Sequence, residues 1–432
     1  MNTNLQIGII GLGYVGLPLA CLFAGKYDVV GYDLNPHRVA DINAGIDSND
    51  DLGDNKVAEA VANGLRCTSD IEDLRRCSVY IVAVPTPVDD KHRPDLSILR
   101  RATATVGKVL SEGDIVIYES TVYPGTTEEV CAPLLEEVSG LVLDKDFSVG
   151  FSPERINPGD RLHTVGNIVK ITSGSNPEAA EIIDNLYASV LEKGTHRAPS
   201  IKVAEASKIL ENTQRDVNIA FMNEMLMVFD AMGIDIYDVL SAASTKWNFL
   251  NFRPGLVGGH CIGVDPYYLI DKARSVGQYP RLTSESRRVN ESMSRYFVEQ
   301  LVLRMSQGGI VVKNASVLIL GFTFKENCRD IRNTKIADIY RTLLDFTDNV
   351  DIYDPYIDPS EVMKEYGIPA TDRLGALSVG SYDAVICCVP HDSFRELDIS
   401  SLCRPGAVIY DIKGAFGAQT NKQTNKQTNQ YI

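Results

Sequence analysis

Gln6-Ile7-Gly8-Ile9-Ile10, followed at once by Gly11-Leu12-Gly13-Tyr14-Val15-Gly16, is the stretch on which the fold turns. An apolar, β-branched run reads as a buried strand, and the three glycines open a helical pattern, Tyr14 to Ala24. The first glycine permits the tight turn, the second lets a pyrophosphate approach the backbone, and the third lets helix and strand pack closely. The phosphates then meet the helix N-terminus, where amide donors and the helix dipole favour negative charge. Asp33 ends the next strand, 22 residues after Gly11, placed to accept from the ribose hydroxyls and to repel a 2′-phosphate. The expected cofactor is therefore NAD rather than NADP.

Strands are expected at Asp28 to Tyr32, Val79 to Val84, Ile115 to Glu119 and Ser148 to Phe151, with a helix from Leu96 to Leu110. This alternation is that of a doubly wound parallel sheet. Pro85 and Thr86 follow one strand and Ser120 and Thr121 another, where ligands of open α/β sheets bind. From Ile201 the pattern becomes helical, Val203 to Met232 with Gly233 as its stop, then Thr283 to Gln307. The first of these helices is apolar on several faces, which suits a position between domains or subunits and predicts a homodimer or higher homo-oligomer. A second α/β region follows, with strands at Ala315 to Leu320, Val350 to Tyr353, Asp383 to Val389 and Ala407 to Asp411. The expected architecture is α/β: two Rossmann-like parallel-sheet domains, residues 1–200 and 308–417, joined by a helical central domain, 201–307. A polar tail, 418–432, repeats TNKQ-like segments and carries too little apolar surface to order itself.

The 432 residues exceed one ordinary core, at about 150 per domain. A formal net charge of −15 argues against a nucleic-acid surface. No apolar run reaches the roughly 18 residues of a membrane span, and no signal-like N-terminus is present. Nine irregularly spaced cysteines and six scattered histidines suggest a reducing cytoplasm, no disulfide framework and no metal cluster.

Gly255-Leu256-Val257-Gly258-Gly259-His260-Cys261-Ile262-Gly263-Val264-Asp265 surrounds one cysteine with glycines, an environment open to close ligand approach. Adjacent side chains rarely point the same way, so His260 is not expected to pair with Cys261 as in a thiol protease. Lys208 and Asn212 stand i, i+4 on one helix face. Lys325, Asp330 and Arg332 follow the first strand of the second α/β region, which lacks a GxGxxG and is thus better suited to a substrate's nucleotide than to NAD.

The order of these motifs, with STVYPGTT from Ser120, SPER from Ser152 to Arg155, the helix segment Glu205 to Asn212, GGHC, and Gly321-Phe322-Thr323-Phe324-Lys325, resembles the UDP-glucose/GDP-mannose dehydrogenase family. The segment Phe252 to Leu269 is similar to its bacterial UDP-N-acetylhexosamine branch, which makes surface polysaccharide precursors. Val264 stands where the UDP-glucose branch has lysine. The resemblance implies four-electron oxidation of a sugar C6 alcohol with two NAD⁺, through a thiohemiacetal and a thioester on Cys261. It implies that Lys208 and Asn212 stabilise the C6 oxygen, that Asp265 and Thr121 hold a water, and that Glu154 serves the hydrolytic water. It adds Arg38 to the cofactor contacts, with Tyr14 and Val15 of the turn. It assigns the UDP-sugar to Glu154, Arg155, Lys208, Asn212, Arg253, Gly258, Gly259, Phe324, Lys325 and Arg332. UDP-glucose and GDP-mannose remain alternative substrates. A single-step hydroxy-acid dehydrogenase and a non-catalytic dinucleotide-binding module are the rival classes, separated by the number of NADH formed per substrate.

Overall fold

Buried β-branched runs form the parallel strands of a computed structural model that describes residues 5–48, 52–89, 91–156, 164–414 and 416. The predicted tail, 418–432, lies outside the described residues. The chain divides into two compact units, Met1–Glu211 with Tyr267–Tyr279, and Asn212–Pro266 with Pro280–Ile432.

In the first unit β1 (Gln6–Ile10), β2 (Asp28–Tyr32), β3 (Arg66–Thr68), β4 (Val79–Val82), β5 (Ile115–Tyr118) and β6 (Ser148–Phe151) form one sheet in the order β3-β2-β1-β4-β5-β6. Every pairing is parallel. Two short strands, β7 (Lys170–Thr172) and β8 (Thr195–Arg197), make a separate parallel ribbon. Ile7, Ile9, Val29, Ile81 and Ile117 pack with Leu17 and Phe23 of the helix Gly16–Ala24 to form the core. The sheet order reverses between β1 and β4, so the loops leaving these strands diverge and open a crevice at their C-terminal ends.

In the second unit β9 (Ser316–Leu320), β10 (Asn349–Tyr353), β11 (Tyr382–Cys387) and β12 (Cys403–Asp411) form a four-stranded parallel sheet in the order β10-β9-β11-β12. Val317, Ile319, Ile352 and Ile386 pack against Met293, Phe297 and Leu301 of the helix Arg281–Gln307, and Met222 and Leu226 of the helix Ile201–Ala231 join the same core. The two sheets and the helical region bear out the α/β reading. The long helix ends two residues before Gly233, whose φ of 70° is left-handed.

Candidate active site

The glycine turn of the first unit is built as its spacing predicts. Gly11 has φ 92° and donates its N–H to Tyr32 O at 2.8 Å. A Cβ on Gly16 would lie 1.7 Å from Gly11 O, so no larger residue fits there. A Cβ on Gly13 would meet nothing within 4 Å, so that stretch of backbone faces open space. Asp33 is half-buried; its Oδ2 accepts from Leu12 N and its Oδ1 from Asn35 N, both at 2.9 Å. An open backbone at Gly13, a helix starting at Gly16 and an accessible carboxylate fit a dinucleotide, and when bound NAD supplies a hydride acceptor.

Two neighbouring strand ends are stitched together. Thr86 Oγ1 donates to Thr121 O at 2.6 Å, and Ser120 Oγ donates to Val84 O at 2.6 Å. Arg38 is buried; its Nε donates to Leu12 O at 3.1 Å, bracing the glycine turn, while a terminal nitrogen donates to Ser48 Oγ at 3.0 Å and lies 3.5 Å from Asp47 Oδ1. Lys208 is buried on the helix Ile201–Ala231. Arg155 forms a bidentate pair with Glu211, at 3.2 and 2.7 Å.

In the second unit Cys261 is partly exposed, and its carbonyl accepts from Val264 N at 3.0 Å and Asp265 N at 2.8 Å, leading into the helix Asp265–Ser275. Asn212 Nδ2 donates to Asp265 Oδ2 at 2.5 Å, which brings two of the named residues together. The cysteine loop rests on the loop after β9. Gly259 N donates to Asn333 O at 3.3 Å, a Cβ on Gly258 would lie 2.7 Å from Asn333 O, and one on Gly259 would strike the Phe324 ring at 2.7 Å. These glycines exist so that two backbones can touch.

His260, set aside on sequence grounds, joins the two loops. Its Nε2 lies 2.6 Å from Asp330 Oδ2, and its ring meets Phe324 edge-on. Burial, helped by the Arg332 cation and opposed by Asp330, pushes the imidazole down to about 4, so at neutral pH it is uncharged. Asp330 stays ionised, because Arg332 outweighs the effect of burial and holds the carboxyl below its usual range. Nε2 therefore carries the proton and donates. Arg332 is gripped by Asp330 in turn, at 3.0 and 2.8 Å. Two of the three arginines assigned to the substrate, Arg155 and Arg332, thus already have carboxylate partners. Lys325 is half-buried in the same loop.

Asn223, a lone amide in an apolar helix stretch, holds the start of the cysteine loop: its Oδ1 accepts from Gly255 N at 2.8 Å and its Nδ2 donates to Gly255 O at 3.0 Å. Asn290 Oδ1 receives the same Nδ2 at 2.8 Å. Beside this anchor a cavity of about 320 Å³ is lined by Arg253, Tyr237, Pro390 and Lys413. Arg253 is among the residues the resemblance assigns to the substrate; Lys413, distant in sequence, is not.

Residues 5–191 match the NAD binding domain of the UDP-glucose/GDP-mannose dehydrogenase family, residues 202–292 its central domain and residues 318–418 its UDP binding domain. The chain is 51% identical over 413 residues to a UDP-N-acetyl-D-glucosamine 6-dehydrogenase of Pseudomonas aeruginosa, covering 95% of this chain and 97% of that protein. It is 50% identical over 419 residues to a Salmonella typhi protein of the same name, covering 96% and 97%. Among solved structures, the UDP-D-ManNAc dehydrogenase of Pyrococcus horikoshii superposes with a TM-score of 0.86 at 31% identity, covering 95% of this chain and 100% of that one.

Proposed function

The chain belongs to the UDP-glucose/GDP-mannose dehydrogenase family, and from that premise we propose that it oxidises the C6 hydroxyl of UDP-N-acetyl-D-glucosamine to the uronate, using two NAD⁺ per sugar. The observation that carries this reading is the partly exposed Cys261 on a glycine loop packed against the Phe324–Arg332 loop. An aldehyde has no hydride to give until a nucleophile makes its carbon tetrahedral, and Cys261 supplies that nucleophile. Its sulfur bonds to the aldehyde carbon as a thiohemiacetal, and the second oxidation leaves a thioester.

Lys208 and Asn212 stabilise negative charge on the C6 oxygen, an ammonium and an amide one helical turn apart. Asp265, oriented by Asn212, acts with Thr121 on the proton of the alcohol or its water. Glu154 serves the water that releases the product. We assign the cofactor to residues 1–200, the cysteine chemistry to 201–307 and the UDP-sugar to 308–417, with Arg253 and Lys413 near the nucleotide. The exposed Leu210, Phe221 and Val228 on the long helix suit a homodimer or higher homo-oligomer, acting in the cytoplasm.

The test is a panel of UDP-N-acetylglucosamine, UDP-N-acetylgalactosamine, UDP-glucose and GDP-mannose, with NADH counted per sugar consumed. UDP-N-acetylglucosamine is expected to give the highest kcat/KM and two NADH. A better UDP-glucose or GDP-mannose would overturn the substrate, and one NADH per sugar would overturn the four-electron course.

A further inference from the structure

Beside Glu154 in the first unit stands a buried group, Lys170, Glu119 and Tyr187, with no task in the assignments above. Lys170 opens β7 and is 1% exposed. Its Nζ donates to Glu119 Oε2 at 2.6 Å and to Pro153 O at 3.1 Å. Tyr187, from the helix Pro177–Ala188, donates its hydroxyl to the other Glu119 oxygen at 2.5 Å. The same ammonium stands 3.8 Å from Glu154 Oε2.

Glu154 is held asymmetrically. Oε1 accepts from the backbone N–H of Arg155 at 2.5 Å and of Ile156 at 2.6 Å. Oε2 is buried and, among the described residues, has no hydrogen-bond partner. A buried carboxylate oxygen without a donor calls for a nearby cation to offset its lost hydration. Arg155, the adjacent cation, is turned to Glu211, so Lys170 is the group that faces the bare oxygen.

The cluster sets two carboxyls against one ammonium. Burial pushes the Glu119 carboxyl up to about 7, with Lys170 opposing and Glu154 adding to the rise. Near neutrality Glu119 is thus often protonated, and the lysine charge is then left to Glu154.

We propose that Lys170 is the positioning residue of the hydrolytic step: its ammonium, pinned by Glu119 and the Pro153 carbonyl, pairs with and orients Glu154, the base that accepts a proton from water. This rests on the assignment of Glu154 made above. In that step water adds to the acyl carbon, the C–S bond breaks with its electron pair going to the Cys261 sulfur, and Glu154 takes the proton the water loses. No redox change accompanies it. A purely structural role for Lys170 accounts for the pairing with Glu119 but not for the placement of the ammonium opposite the one unpartnered oxygen of Glu154.

The experiment uses the full chain with NAD⁺ and UDP-N-acetylglucosamine, following NADH by stopped flow and the mass of Cys261 adducts. Lys170→Met and the double variant Lys170→Met/Glu119→Gln are compared with the parent. Both are expected to release a first burst of two NADH per site at near parental rate. Steady turnover then falls about tenfold or more, less than for outright loss of a general base, while a thioester-mass adduct accumulates. The double variant removes the Glu119 charge that Lys170→Met alone would strand beside an apolar side chain, so it carries the test even where Lys170→Met alone does not fold. Parental turnover in the double variant would show that Lys170 serves only to neutralise Glu119, and loss of the burst would show that it acts on another step; either overturns the proposal. Glu154→Gln separates the two claims. An adduct there with none in the Lys170 variants overturns the role of Lys170 alone, and no adduct in any variant overturns the role of Glu154 itself.

Discussion

At the end of β1 the backbone N–H of Gly11 donates to Tyr32 O at 2.8 Å, and at the end of β9 that of Gly321 donates to Tyr353 O at 2.9 Å. Both glycines are left-handed, with φ of 92° and 88°. Each turn is tied to an aspartate just past the neighbouring strand. Asp33 Oδ2 accepts from Leu12 N at 2.9 Å, and Asp354 Oδ2 accepts from Phe322 N at 2.7 Å and Thr323 N at 3.0 Å. The difference lies beyond the turn. Two residues after the first glycine, Gly13 faces open space in the first unit, whereas the fully buried Thr323 holds that place in the second. Asp33 is half-buried, whereas Asp354 is 0% exposed and accepts from His391 Nε2 at 2.9 Å. Asn327 N donates to His391 Nδ1, which fixes the proton on Nε2. The same strand-turn geometry therefore ends in two ways: one carboxylate stays accessible, and the other is closed off by the protein's own imidazole.

This contrast predicts where a change should hurt. The largest effect belongs to Cys261→Ala, since cofactor and covalent chemistry are assigned to different units. NADH production should fall by several orders of magnitude, beyond the roughly 10²–10⁴-fold typical of a lost general acid or base. NAD⁺ affinity, read by fluorescence titration, should stay near that of the parent. Near-parental turnover would end the thioester reading, and a parallel loss of cofactor binding would break the division of labour.

Asp354→Asn comes next, and it should act on stability, not on cofactor choice. Removing a buried carboxylate that receives an imidazole and three backbone donors should cost about 2–4 kcal/mol in urea unfolding. Burial raises the Asp354 carboxyl, but the His391 hydrogen bond and the backbone donors outweigh it and leave the group below its usual range. Its contribution is therefore full above the unfolded value, about 4, and is lost as pH falls through the lower folded one. The gap between parent and variant should narrow in acid. An unchanged gap from pH 7 down to pH 3 would show that the charge of Asp354 is not what stabilises the turn.

Asp33→Ser should do the reverse. It removes one ribose acceptor and one repelling charge, so kcat/KM with NAD⁺ should drop about 10- to 100-fold and the preference over NADP⁺ should relax. Stability should change by about 1 kcal/mol or less, because the group is half-exposed. A parent that uses both cofactors equally well would remove the basis for assigning Asp33.

Much of this was legible in the sequence. Gln6–Ile10, Asp28–Tyr32 and Ser148–Phe151 form strands with the expected limits, because parallel strands buried on both faces leave unbroken apolar runs. Arg66–Thr68, Lys170–Thr172 and Thr195–Arg197 escaped notice, being three residues long, with charged or polar side chains in each. The glycine turn and Asp33 were readable because their chemistry is local. The Asn212–Asp265 bond spans 53 positions and the His260–Asp330 bond 70, and neither pairing leaves a mark on its own segment. Arg155 and Arg332 show the same limit from the other side: a sequence displays a cation but not the carboxylate already gripping it.

The two-pronged hold of Asn223 on Gly255 bears on how such an enzyme adjusts to its working temperature. The segment leading to Cys261 has no ladder of its own, and one side-chain amide stands in for a strand partner. Its stiffness is thus borrowed from the helices that carry Asn223 and Asn290, whose packing includes Met222, Met293 and Phe297. Substitutions in that helical core, far from any reacting atom, are then the place where a warm- or cold-adapted form would set the mobility of the cysteine loop, leaving the glycines around Cys261 untouched.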